Sequence, residues 1–332
     1  MATGSFRPGR PADYIRVAAP VLWAGLDAPA PRWEQFLQEI FAGDVELINF
    51  IQRLLGYAIT GQVTEHILPI FWGQGRNGKG TLIETIKYVL GDLAAPVSKS
   101  VLVGYNRNPD AATPYLYALR SLRVAWVSEI REGVSLNDDQ VKWLTGGDTI
   151  TARQLNANPI SFKPRHTLFL LTNPKPRANP DDYALWKRIL LIPFTLSFVE
   201  APNADNERRA DPELPIKLKD ESAGILAWLV KGSLEWRQSG LNPPPSVRLA
   251  TQAYQMEEDD ITLFIDECCL IKADAETRAS EIYTAYRKWA EDCGLRPASQ
   301  TTFGKRLGKR FKRRLSAGVI YSGIGLLDNA PR

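Results

Sequence analysis

The sequence predicts an α/β fold built on a buried parallel sheet, with a phosphate-binding loop at one end of the sheet. Three observations carry this. Gly73-Gln74-Gly75-Arg76-Asn77-Gly78-Lys79-Gly80-Thr81 follows the apolar run 67–72 and precedes a helix-like stretch at 82–90, and strand, glycine-rich turn and helix form the context a phosphate loop requires. Short apolar runs at 66–72, 122–128, 167–172 and 189–194 are each bounded by turn or charged residues. They alternate with helical patterns at 81–90 and 137–145, as buried parallel strands and their crossovers do.

The elements follow in order. Residues 1–32, rich in Pro, Gly and Ala, are expected to form a flexible arm. Over 33–65 apolar residues recur at helical spacing (Phe36, Leu37, Ile40, Phe41, then Leu47, Ile48, Ile51, Leu54, Leu55), which predicts a helical segment. The α/β core is assigned to 66–240. Residues 149–163 read as a hairpin turning at Asn156-Ala157-Asn158-Pro159. A polar linker containing Pro243-Pro244-Pro245 precedes a C-terminal domain at 247–332, with helices near 247–269 and 280–293 and then a basic segment.

A chain of 332 residues can bury one large core and a smaller satellite domain. No stretch approaches eighteen uninterrupted apolar residues, so no membrane-spanning helix is expected, and the N-terminus lacks the apolar segment of a signal peptide. Cys268, Cys269 and Cys293 match neither a disulfide framework nor a zinc pattern; two of them are adjacent in an apolar stretch, so buried thiols in a reducing, cytoplasmic setting are the expectation. Net charge is only +4, yet Arg296, Lys305, Arg306, Lys309, Arg310, Lys312, Arg313 and Arg314 cluster in a stretch with no acid between Cys293 and Asp328. Such a one-signed run favours nucleic acid over an ordinary solvated face, which carries both signs.

Chemistry explains the residue types of the loop. Its glycines let backbone N–H groups converge on phosphate oxygens, and the helix N-terminus adds partial positive charge. Gly73, Gly75, Asn77, Gly78, Lys79, Gly80 and Thr81 are the candidate ATP-binding set, with Lys79 reaching the β and γ phosphates. The hydroxyl that usually follows the lysine and holds Mg²⁺ is replaced by Gly80, so Thr81 is the nearest candidate. An ordinary Gly-rich turn would read similarly. Glu129 ends an apolar strand, where it could position or deprotonate an attacking water and help hold Mg²⁺ through water, or simply end the strand in solvent. Asn173-Pro174 ends another strand; it suits an amide that orients water, and is also an everyday turn. Arg188 could stabilise charge on a transferring phosphoryl group, or be a helix-end cation.

The order of these signals resembles the superfamily 3 helicases, above all the AAA+ domain of phage, plasmid and poxvirus primase–helicases. Asn77-Gly78-Lys79, Ser128-Glu129, Leu144-Thr145-Gly146-Gly147-Asp148, Thr172-Asn173 and Trp186-Lys187-Arg188 carry the likeness, and a weaker one covers 254–307 through Tyr283, Tyr286, Trp289, Gly294, Phe303 and Leu307. The resemblance implies an ATP- and Mg²⁺-dependent motor that moves 3′-to-5′ on single-stranded or forked DNA as a homo-oligomeric ring, a hexamer assembled through the helical segment. It implies catalytic roles for Glu129 and Asn173 in one subunit and for Arg188 in the next. It also implies a hairpin that grips DNA phosphates, with Lys142, Arg153 and Lys163 as the carry-over candidates. Nothing here resembles the primase domain of that family, so a stand-alone helicase or the helicase portion of a longer primase–helicase is expected.

In the basic segment Phe303, Leu307 and Phe311 lie four apart, continuing to Leu315, with Lys305, Arg306, Lys309 and Arg310 on the flanks. A β-ribbon near 318–322 would complete a winged-helix-like DNA-binding domain. A DNA packaging or remodelling ATPase, and an origin-binding initiator whose ATP site drives assembly alone, are the competing functions.

Overall fold

In the computed structural model, residues 7–103, 112–295, 297–316, 318–328 and 330–331 are described; Arg296 of the basic run lies outside them. Local sequence sets the first helices. Pro31 opens α1 (Pro31–Ile40), where its missing N–H leaves no bond unmade, and Asp44 caps α2 (Val45–Thr60) by accepting from the Leu47 N–H at 3.0 Å. There follow β1 (Leu68–Trp72), α3 (Lys79–Leu90), β2 (Ala94–Pro96), α4 (Ser100–Val103), α5 (Pro114–Tyr117), β3 (Val124–Ser128), α6 (Asp138–Thr145), β4 (Ile150–Ala152) and β5 (Ile160–Phe162). Next come β6 (Thr167–Thr172), α7 (Tyr183–Trp186), β7 (Ile189–Pro193), β8 (Ser197–Val199), β9 (Glu207–Arg209), α8 (Leu214–Asp220), α9 (Ser222–Ser239) and α10 (Pro245–Glu257).

The central sheet has the order β2-β3-β6-β1-β7 and every pair in it is parallel. Side chains alternate across it. Leu68, Ile70, Leu168, Leu170 and Leu191 enter a cluster with Val141 and Leu144 of α6, whereas Phe71, Phe169, Leu171 and Ile192 pack with α1, α2, α3 and α9 on the other face. Burying each such large side chain contributes about 1.5–3 kcal/mol, which fixes strand register and so decides which residues meet at each sheet edge. β1, β3 and β6 end together, since Trp72 pairs with Thr172 and Ser128 with Leu171. The expected hairpin is present as the antiparallel pair β4 and β5.

The chain divides into two units, Met1–Tyr254 and Gln255–Arg332. Two sequence-based boundaries shift as a result. The helices of 33–65 do not stand apart: Trp33, Phe36, Ile40, Phe50, Leu54 and Leu55 belong to the same buried cluster as the sheet. The second boundary falls within α10 rather than at 247, because Val247 and Tyr254 are both buried in the clusters of the first unit. No helix among the described residues is long and apolar enough to cross a membrane.

The second unit runs α11 (Asp260–Cys268), β10 (Cys269–Arg278), α12 (Ala279–Asp292), α13 (Gln300–Arg310), β11 (Lys312–Leu315) and β12 (Val319–Leu326), with the antiparallel sheet order β10-β12-β11. Ser299 caps α13 by accepting from the Thr302 N–H. Although the four-residue spacing continues to Leu315, the helix stops at Arg310. Phe311 is extended (φ −122, ψ 143) and residues 312–315 pair with 319–322, leaving Leu315 exposed on a strand. Cys268 and Cys269 are buried, and burial pushes the Cys269 thiol up to about 12.

Candidate functional site

The glycine-rich loop leaves β1 and re-enters the fold as α3. Gly73 (φ 156) and Gly78 (φ 85) accept backbone angles that other residues avoid, and neither has room for a side chain. A Cβ on Gly73 would lie 2.2 Å from the Phe194 carbonyl oxygen, and one on Gly78 would lie 2.6 Å from Ile40 Cγ2. Space is open around Gly75 and Gly80, which are exposed like Gln74 and Arg76 of the same loop. Asn77 is buried, and its side-chain amide donates to the Phe194 carbonyl at 3.5 Å.

Lys79 is buried, with its Nζ donating to the Gly73 carbonyl at 2.5 Å and to Asn173 Oδ1 at 3.2 Å. Both acceptors are neutral. Burial pulls the lysine down to about 8. Asn173 therefore joins the loop lysine. Glu129 lies on the same sheet edge: it follows β3, is exposed, and donates its backbone N–H to the Leu171 carbonyl at 2.9 Å. Its φ of 58 is unusual for a residue with a side chain, a strain that clusters at functional sites, and Arg76 in the loop shares it with φ 60. Thr81 stands in the first turn of α3. Among the described residues no group of three or more His, Cys, Asp or Glu could hold a metal. Thr81 and Glu129 are the residues at this edge that would hold Mg²⁺ beside a bound nucleotide, a hydroxyl and a carboxylate being oxygen donors that suit this ion.

Arg188 is elsewhere. It directly precedes β7, whose Ile189 pairs with Leu68 at the start of β1, so Arg188 lies at the opposite edge from the loop, roughly 16 Å away along the strands. It cannot serve this chain's own loop. Its Nε donates to Thr145 Oγ1 at 3.2 Å and its Nη1 to the Ala184 carbonyl at 2.6 Å.

The proposed nucleic-acid residues separate into several groups. Lys142 is not in the hairpin; it sits on α6, paired with Asp182 at 2.8 Å and Asp139 at 3.0 Å, which lift its pKa and hold it in place. Lys163 is exposed beside the hairpin, and Arg153 is half-buried there. In the second unit Lys305, Lys309 and Arg310 are exposed, Arg310 while pairing with Asp259 at 2.7 Å. Arg306 must be reassigned. Its side chain is 8% exposed and bonds Asp259 at 2.5 Å and Asp260 at 3.0 Å, making it a buried ion pair within the fold.

Sequence reasoning missed how the loop is supported. Phe194 holds Gly73 and Asn77, Ile40 abuts Gly78, and the Phe198 N–H donates to the Arg76 carbonyl at 2.7 Å. Pro193-Phe194 offered a signal as the end of a strand pattern; Ile40 offered none beyond helical spacing. A cavity of about 860 Å³ opens beside this support, lined among others by Arg32, Gln38, Ala42, Phe198, Arg208 and Lys217.

Comparisons with known proteins find several likenesses. The Poxvirus D5 protein-like family matches residues 256–321. "Putative helicase L207/L206" of Acanthamoeba polyphaga mimivirus is 30% identical over 304 residues, covering 88% of this chain and 32% of that protein. "Putative primase C962R" of African swine fever virus (isolate Warthog/Namibia/Wart80/1980) is 25% identical over 267 residues, 76% of this chain and 28% of that protein. The chain thus spans about a third of the length of the curated relatives it matches. A solved structure, the A form apo structure of the NrS-1 C-terminal region, shares the fold with a TM-score of 0.51 at 15% identity, over 79% of this chain and 59% of that one.

Proposed function

We propose that this chain, which fits a primase–helicase-like family with viral members, is the ATP-driven motor of a superfamily 3 DNA helicase. The observation that carries the reading is Lys79: a buried cation that, among the described residues, is held by two neutral oxygens, in a glycine loop at a helix N-terminus. Such a group awaits an anion, and a nucleotide's phosphates supply one. When bound, Mg²⁺ would spread phosphate charge and ready the leaving group. The chain's own residues do the rest: Lys79 takes the β and γ phosphates, Glu129 activates water at the same edge, and Asn173 orients it. The motor acts within a ring, a hexamer, that moves 3′-to-5′ on single-stranded DNA. Strand displacement on forked DNA with single-stranded tails of each polarity tests this. ATP hydrolysis without displacement on either fork would favour the packaging or initiator reading instead.

The lysine makes nucleotide affinity depend on pH. The folded pKa of about 8 lies below the ordinary lysine value of 10.5, so the charged form is disfavoured in the free protein. That cost to stability is present below about pH 8 and is relieved as pH rises from 8 toward 10.5. ATP binding needs the proton, so affinity should fall above pH 8, by at most about tenfold per pH unit. Titrating a non-hydrolysable ATP analogue from pH 7 to 9.5 checks this, with Lys79→Gln expected to be weak and flat throughout. Undiminished wild-type affinity at pH 9.5 would separate Lys79 from the phosphates.

The second unit has the order helix, strand, helix, helix and two strands, which supports a winged-helix DNA-binding role resting on Lys305, Lys309 and Arg310. Arg306 should behave differently from these. Arg306→Met leaves Asp259 and Asp260 short of a buried cation and should cost about 3–5 kcal/mol of stability, with little change in the salt dependence of DNA binding. Lys305→Ala with Lys309→Ala should leave the unfolding midpoint alone and flatten the salt slope by about 2. Parallel thermal unfolding and salt-titrated DNA binding decide it, and a reversal of the two phenotypes would return Arg306 to the DNA surface.

A further inference from the structure

The run Leu144-Thr145-Gly146-Gly147-Asp148 has no task in the steps above. We propose that Thr145 is a positioning residue that aims Arg188 at the nucleotide of a neighbouring subunit; this rests on the reading of Arg188 as a cation acting in trans.

The geometry is specific. Thr145 is buried at the end of α6, and its hydroxyl hydrogen goes to the Val141 carbonyl at 2.7 Å. The oxygen is thereby fixed as an acceptor and takes the Arg188 Nε–H at 3.2 Å. From another element, the Ala184 carbonyl takes Nη1–H at 2.6 Å. Two bonds on two sides define the guanidinium plane. Among the described residues neither an acid nor any other group on this chain engages Nη2, so the charge is oriented but not neutralised. A cation meant only to stabilise its own fold would be better served by a carboxylate. The Thr145 peptide is itself tethered, with its carbonyl accepting from His66 Nδ1 at 2.9 Å. Gly147 (φ 81) then turns the chain into β4, so this run is also the root of the hairpin. One peptide segment thus joins the element expected to meet DNA with the element that holds Arg188.

Thr145→Val keeps the shape and removes the acceptor; Thr145→Ser keeps the acceptor. Thr145→Val should lower kcat for ATP about 10- to 100-fold, as small misplacements of a charge-stabilising group do, with KM, the unfolding midpoint and oligomer size unchanged. Thr145→Ser should retain wild-type turnover. In an Arg188→Ala background Thr145→Val should add nothing. Wild-type kcat in the valine variant, an equal loss in the serine variant, a loss accompanied by a lower unfolding midpoint, or a further loss in the Arg188→Ala background would each overturn the proposal. If the valine variant does not fold, Thr145→Ala carries the same test. Full activity of Arg188→Ala would instead sink the trans reading on which the proposal stands, a result separable from failure at Thr145 alone.

Discussion

Glu129→Gln is expected to yield a protein that binds ATP and keeps it, with turnover lowered about 10²- to 10⁴-fold. Glutamine preserves the volume and one acceptor of the side chain but cannot take a proton from water. Among the described residues Glu129 makes no side-chain bond that supports the fold; it is exposed at the end of β3 and touches β6 through its backbone N–H. Folding and nucleotide affinity should therefore survive. Lys79→Ala should do the opposite, abolishing most binding because the phosphate charge loses its cation. Nucleotide binding and steady-state hydrolysis with single-stranded DNA present, measured on both variants, separate the two roles. Wild-type hydrolysis by Glu129→Gln would remove this residue from the chemistry.

The residues that meet at this edge were legible because apolar runs reveal strands, and parallel strands of known polarity place their ends together. Lys79, Glu129 and Asn173 each follow or adjoin such a run, so three weak local signals converge on one place. The failures share a different cause. Arg306 reads as one more cation in a basic helix, since nothing local announces that Asp259 and Asp260, 46 or 47 residues earlier, will close over it. The helix containing Phe303 and Leu307 ends at Arg310 because residues 312–315 find strand partners downstream, a tertiary preference that overrides a continuing four-residue spacing. Ile40 supports Gly78 from a helix whose periodicity marks it as core but not as core against the phosphate loop. Local pattern sets the elements; contacts distant in sequence decide what each cation does.

Arg188→Ala should abolish most turnover while sparing ATP binding, and its loss should be complemented by a second dead variant. Arg188 lies at the sheet edge opposite its own loop, so any action on phosphate must be on another subunit's nucleotide. An arginine supplied in trans stabilises charge that develops on the transferring phosphoryl group, and such residues contribute about 10³- to 10⁵-fold to turnover. Ground-state binding gains far less from it. In a ring mixed from Arg188→Ala and Glu129→Gln subunits, some interfaces bring an intact Glu129 against an intact Arg188. Two inactive proteins should then regain ATPase activity on mixing, with a maximum near equal proportions, while coordinated unwinding stays impaired. Energy transfer between labelled subunits establishes that exchange has occurred. Exchange without any recovery, at every mixing ratio, would show that the two residues do not share a site across an interface, and Arg188 would then be a cation that serves only the end of α7.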